Sequence, residues 1–399
     1  MGLARTAIVA FLLSACSSAS APFTSPSASP SISVTAAPTA TVTPAVPTTT
    51  PSIAAASPAA TPRPITDPNQ AIFSAAAGWR ATGTTLVVAG TAASGATTLV
   101  ALPISPSGAV GAPTTLVSFV PDAWALRRDG SAAAIVVATP GRSRLAIWET
   151  STGAIRWLTS SDQGPDQSAP VWSSDGASIY FMETSDTARK MVALRADGTA
   201  RREITIPDRF DGGVGLTPDG KGLVWSRGQA GGSVDILDLA TGANRHLQDN
   251  ASVAAWRDQQ PRALLLVGGC CAGPPGASLE LWDDVALTSR VIAARGPQSD
   301  AAFGTASWDP RGARFVAVRY AGTRSARSLA IIDPATGAVQ DVARTEGATS
   351  VLWLDEGIVF TRPAIPNGAD LLLIPAAGGE PTSIHQGFGG IGSLFVVRP

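Results

Sequence analysis

The sequence predicts an all-β fold, a β-propeller of four-stranded blades, on three observations. Apolar runs are short and bounded by Gly, Asp and Pro, with 40 Gly and 31 Pro along the 399 residues. Amphipathic helical patterns are hard to find. A two-part motif returns seven times between residue 71 and residue 399, at intervals of 40 to 52 residues, the period of a stacked or radial repeat.

The first part of the motif is a large side chain followed by a turn, at Trp79, Trp124, Trp172, Leu216, Trp256, Trp308 and Trp353. Its clearest copies read W-S-S-D-G from Trp172 and L-T-P-D-G from Leu216. Asp-Gly between two apolar runs supplies the positive φ and the short acceptor that a hairpin turn needs. The second part, such as V-D-I-L-D-L-A-T-G ending at Gly242 and L-A-I-I-D-P-A-T-G ending at Gly337, marks another hairpin. Further copies end at Gly108, Gly153, Gly198 and Gly379, and the fifth repeat lacks one. Each repeat therefore provides four strands: one entering the first anchor, then stretches such as Ile179–Met182, Leu329–Ile332 and Ala338–Val342. Leu329–Ile332 is apolar on both faces, as expected of a strand covered on both sides. The anchor aromatics are expected to fill the wedges between blades.

These W-S-x-D-G and D-x-x-T-G copies resemble TolB-like, WD-repeat-type propellers over residues 71–399. Seven repeats imply seven blades, with six or eight open if a terminus completes a blade. The strand that closes the ring is expected to be Ser393–Val397 or Ile72–Ala75.

Ahead of the repeats, Arg5 and the apolar run Thr6–Leu13 form a secretory signal over residues 1–15. Leu13-Ser14-Ala15-Cys16 resembles the lipobox of bacterial lipoprotein precursors. That resemblance implies cleavage before Cys16, acylation of its thiol, and anchoring to a membrane by lipid. The exported protein would then sit on the outer face of the cytoplasmic membrane, or in the periplasm or outer membrane of a Gram-negative cell. With Cys16, residues 17–70 form the second segment, a Ser/Thr/Pro/Ala-rich tether expected to be disordered because it has little apolar surface to bury. Residues 71–399 are the propeller domain, expected to be a monomeric head.

The net charge of −1 gives no global attraction to nucleic acid. The chain has two histidines, His246 and His385, without ligand-spaced partners, so no metal site and no cofactor are expected. It contains neither G-x-S-x-G nor a phosphate-binding Gly-rich loop, and no catalytic residues are assigned. Cys270 and Cys271, flanked by glycines in an exported chain, are candidates for a vicinal disulfide, either a loop staple or a ligand-facing knob. Loops joining second to third strands carry Arg142, Arg144, Arg189, Arg227, Arg324 and Arg362 on one expected face. Blade-connecting loops on the same face carry Asp162, Asp166, Asp249 and Asp300. This is either a basic ring for an anionic partner or a solvated rim of weak ion pairs.

Two function classes follow. One is a non-enzymatic binding or scaffold head that presents a propeller face to an envelope glycan or protein. The alternative is a propeller enzyme, a lyase or glycan hydrolase using paired carboxylates near the central pit.

Overall fold

In the computed structural model, the described residues run from 78 to 398 apart from short segments between strands. The signal segment, Cys16, the tether, Ile72–Ala75, Arg324, Cys270 and Cys271 lie outside the described residues.

Five four-stranded antiparallel sheets and one seven-stranded sheet make up the head, and every described element in it is a strand. In chain order, blade two is Ala123–Leu126, Ala132–Thr139, Arg142–Glu149 and Ile155–Trp157. Blades three to six begin with innermost strands Asp166–Trp172, Val214–Leu216, Ala251–Trp256 and Ala302–Trp308. The seven-stranded sheet holds the remaining two blades. The last strand, Thr382–Val397, is the outermost strand of blade seven through its pairing with Ala369–Pro375. Its second half pairs with Thr85–Ala92 and becomes the innermost strand of blade one. Among the described residues, seven blades are therefore built from 27 strands because one strand serves twice. Of the two expected closing segments, Ser393–Val397 fills that place, opposite Thr85–Ala89.

Local chemistry sets the turns. Asp175 Oδ1 accepts the Ala177 N–H at 2.9 Å, and Gly176 takes a φ of 67°. In the second motif, Asp238 Oδ1 accepts the Thr241 N–H at 2.7 Å and the Ala240 N–H at 3.0 Å, while Gly242 takes a φ of 73°. The Asp caps the turn and the Gly reverses the chain, which is why the two recur together. Gly130 has a second constraint: a Cβ there would lie 2.6 Å from Cγ1 of Val397 on the closing strand.

The core is divided into seven layers, one between each pair of neighbouring blades. Val87 and Leu116 of blade one meet Ile135 and Trp148 of blade two. Phe181 and Trp172 of blade three meet Val136 and Ile147 of blade two. The series continues through Trp225 with Met191, Trp282 with Ile236, Trp308 with Leu281, and Phe360 with Val318. Leu371 and Leu373 of blade seven then pack on Leu86 and Val88 of blade one, completing the circle. Each sheet is thus covered on both faces, and burial follows: Leu329, Ala330 and Ile332 are all buried.

Three anchor assignments shift. Trp172, Leu216, Trp308 and Trp353 lie opposite Ile179, Leu223, Phe315 and Ile358 at one shared position. In blade two that position belongs to Leu126, opposite Ala133, with Trp124 two residues earlier on the same face. In blade one Val396 occupies it, opposite Leu86, because the innermost strand arrives from the far end of the chain. Trp79 precedes the first strand and packs, half-buried, into the layer between blades one and two. The last turn is also displaced by one residue. Gly378 donates to Pro375 O, as Gly108 does to Ser105 O, so Gly378 rather than Gly379 holds the equivalent place.

Candidate functional site

The innermost strands all end at the edge of the disc that carries the first hairpin turn of each blade. On that side lies a cavity of about 410 Å³, walled by Ala306–Gly312 of blade six, Leu352–Leu354 of blade seven, Val396 and Arg398 at the closing strand, Ala255 of blade five and Arg128 of blade two. Ser307 Oγ accepts the Trp353 N–H at 2.9 Å and joins two walls of the cavity. Trp308 is buried and packs edge-on against Phe315, with ring centroids 5.4 Å apart. Arg314 lies over the Trp353 ring, 5.6 Å from its centroid.

Three guanidinium groups and one carboxylate line this mouth: Arg128, Arg311, Arg398 and Asp309. Asp309 is committed locally, since its Oδ1 accepts the Ala313 N–H at 2.7 Å and its carbonyl accepts the Gly312 N–H. Arg398 faces Asp355 at 3.4 Å, a pair exposed enough to be weak. Arg128 and Arg311 are exposed and have no carboxylate partner among the described residues. The mouth is therefore cationic, with indole in its walls. Glycoside hydrolysis by a carboxyl pair uses two such groups of different proton affinity, and the described lining holds one.

Of the arginines expected on one face, those at described positions stand at second-to-third hairpins, at the far end of the innermost strands from the mouth. Arg142 and Arg144 open the strand Arg142–Glu149, Arg189 opens Arg189–Arg195, and Arg227 ends Gly222–Arg227. Their environments differ. Arg144 is buried, 4.4 Å above the Trp157 ring centroid, and donates to Thr159 O at 2.8 Å. Arg189 is exposed, and Arg362 is half-buried 3.9 Å from Asp370. Arg142 and Arg144 share a slot of about 320 Å³ between blades two and three with Gln167, Glu183 and Arg201. Gln167 Oε1 accepts both the Leu145 N–H (2.7 Å) and the Thr159 hydroxyl (2.8 Å), and Arg201 bonds buried Glu183 at 2.7 Å. The slot's polar groups are joined to one another, which rigidifies it.

His246 has partners that the sequence spacing hides. Its Nδ1 is 3.3 Å from buried Asp235 and its Nε2 is 3.6 Å from Asp249. Asp235 and His246 face one another on adjacent strands, a relation fixed only by register. Ser233 is nearby, but its hydroxyl donates to Asp235 Oδ2 at 2.8 Å. Hydroxyl and imidazole thus bind the same carboxylate, whereas nucleophile activation needs the imidazole between the other two. His385 packs on Phe388 at 4.5 Å, and burial pushes its pKa below the usual imidazole value. Among the described residues, no group of three or more His, Cys, Asp or Glu is placed to hold a metal ion.

Sequence reasoning missed the mouth. Arg128, Arg311 and Arg398 are far apart in the chain, Arg128 and Arg311 stand in turn motifs read as structural, and only the closing strand brings Arg398 beside them. The usable signal was positional, since Arg128 and Arg311 both sit in first hairpin turns.

No protein-family model matches the chain, and no curated protein matches it. Among solved structures, a Mycobacterium tuberculosis puromycin-hydrolyzing peptidase is similar over 79% of this chain and 53% of its own, at 15% identity and a TM-score of 0.56. An oligogalacturonate lyase in complex with manganese is similar over 78% of this chain and 86% of its own, at 13% identity and a TM-score of 0.54. TolB from Acinetobacter baumannii matches over 67% of this chain and 66% of its own, at 19% identity and a TM-score of 0.44. The chain spans about half the length of the peptidase it resembles. Likeness at such identities speaks for architecture and leaves chemistry to the site. The chain has the β-propeller fold, seven blades closed by its own last strand.

Proposed function

We propose that this protein is the non-enzymatic binding head of an exported lipoprotein. Lipid on Cys16 anchors it, residues 17–70 space it from the membrane, and the head engages an anionic glycan or protein of the cell envelope. The observation that supports this reading is the chemistry of the axial mouth, where three guanidinium groups surround a single carboxylate bonded into its own turn. Such a lining attracts negative charge and lacks the acid–base pair that the enzymatic alternative requires.

The test is capture from a cell-envelope fraction by the full-length chain. Captured material should be retained at low salt and released near about 0.5 M salt, where the screening length falls to about 4 Å. It should also be recovered chemically intact. Shortened glycan chains or cleaved peptides in the eluate would overturn the non-enzymatic reading, and retention indifferent to salt would overturn the electrostatic one.

A further inference from the structure

We infer that the axial mouth is a polyanion site whose occupant fastens the closure of the ring. The inference rests on the binding reading above and adds the class of ligand and the consequence of binding. Arg398 immediately follows Val397, whose partner across the sheet is Thr85. Every other described strand pair joins strands consecutive in the chain, whereas this pair joins the last described strand to the first. Its loop-closure entropy is therefore the greatest of any described pairing, and it is the joint of the ring that no short chain connection spans. Its register runs evenly from Thr85–Val397 to Ala89–Ser393 and becomes irregular beyond Ala89. The regular part is the part beside the mouth.

Arg128 and Arg311 sit on blades two and six, on walls separate from the closing strand. A ligand with two or more carboxylate or phosphate groups bridges Arg398 to the fixed blades, each contact a charge-assisted hydrogen bond. The volume of about 410 Å³ lies in the range of small-molecule sites and admits such a ligand. Asp355, 3.4 Å from Arg398, competes with it for that guanidinium.

Calorimetry on the full chain at low salt, with citrate and tripolyphosphate as probes and maltotriose as the neutral control, tests the site. Citrate and tripolyphosphate separate carboxylate from phosphate chemistry, and maltotriose should not bind. The double variant Arg128→Gln with Arg311→Gln should weaken the better probe at least about tenfold. Asp355→Asn should tighten it by up to about fivefold, a gain that misfolding cannot produce. Hydrogen exchange with the probe bound should slow at Thr85–Ala89 and Ser393–Val397 more than at Ser178–Thr184 of blade three. Affinity unmoved by both variants, or equal binding of maltotriose, refutes the site. Binding with uniform protection across the blades refutes the fastening. Envelope capture that persists in the Arg128→Gln, Arg311→Gln variant refutes this site while leaving the binding-head reading intact.

Discussion

Trp172 offers the sharpest test of how the blades hold together. Its indole is 8% exposed, packs in the layer with Phe181, Val136 and Ile147, and donates Nε1–H to Ala125 O of blade two at 2.9 Å. One side chain thus supplies both the apolar wedge and a polar bond across one blade interface. Trp172→Ala removes roughly 150–200 Å² of buried surface, worth about 4–5 kcal/mol at 25 cal/mol per Å². That agrees with the roughly 3–5 kcal/mol of buried Trp truncations. Unfolding entropy of about 2.1 cal/mol/K per residue over the described head gives about 0.7 kcal/mol per degree, so the melting temperature should fall by about 6 °C. Trp172→Phe keeps most of the wedge and loses the hydrogen bond, for about 1–2 kcal/mol and about 2–3 °C. Calorimetric melting of the two variants beside the parent measures both terms. A shift below about 2 °C for the Ala variant would refute the wedge argument. Equal damage from Phe and Ala would show that the polar bond, not the packing, dominates.

Removing residues 393–399 strips the innermost strand from blade one and should abolish cooperative melting; a normal transition would mean that the ring closes otherwise. Cys16→Ser should abolish incorporation of a labelled fatty acid into the exported chain, and continued labelling would refute lipidation at that residue. Deleting residues 17–70 should leave the melting temperature within about 1 °C if the segment is the disordered tether its composition predicts, and a larger fall would refute that. Acid should destabilise the head through its turn aspartates. The Ser173 hydroxyl at Asp175, the Thr199 hydroxyl at Asp197 and the backbone N–H of Thr241 at Asp238 hold these carboxyls below their ordinary 3.8. A depressed folded-state value contributes stability above the unfolded value and loses it as pH falls through the lowered one. Melting temperature should therefore be level from about pH 7 to 5 and decline below about 4, less steeply with all three as Asn. A melting temperature that rises on acidification contradicts this.

The propeller was legible because its turns are chemical and its repeat is periodic. Asp238 with Gly242 and Asp333 with Gly337 make the same local bonds in different blades, so their spacing announces the hairpins. Anchor identity was less legible. Side chains two apart on a strand share a face, so Trp124 and Leu126 are equivalent to a reader of patterns until strand register separates them. The source of the innermost strand of blade one was open between two segments, since either could pair with Thr85–Ala92. That Arg142, Arg144, Arg189, Arg227 and Arg362 stand at second-to-third hairpins was legible, because the repeat spacing marks those turns. Burial within that class was not: Arg144 is covered by Trp157, while Arg189 is exposed. The mouth was hidden for a deeper reason, since its three guanidinium groups meet only through the ring closure.

The double duty of Thr382–Val397 also sets a timetable for the protein's synthesis. Blades two to six can each form as soon as their own four strands have left the ribosome or the export channel. Blade one, although begun before them, waits with Thr85–Ala92 lacking its inner neighbour until Ser393–Val397 is made. An exposed strand edge of this kind pairs readily with other chains. On the proposed export route the hazardous interval spans nearly the whole of translocation, and it ends with the arrival of Ser393–Val397.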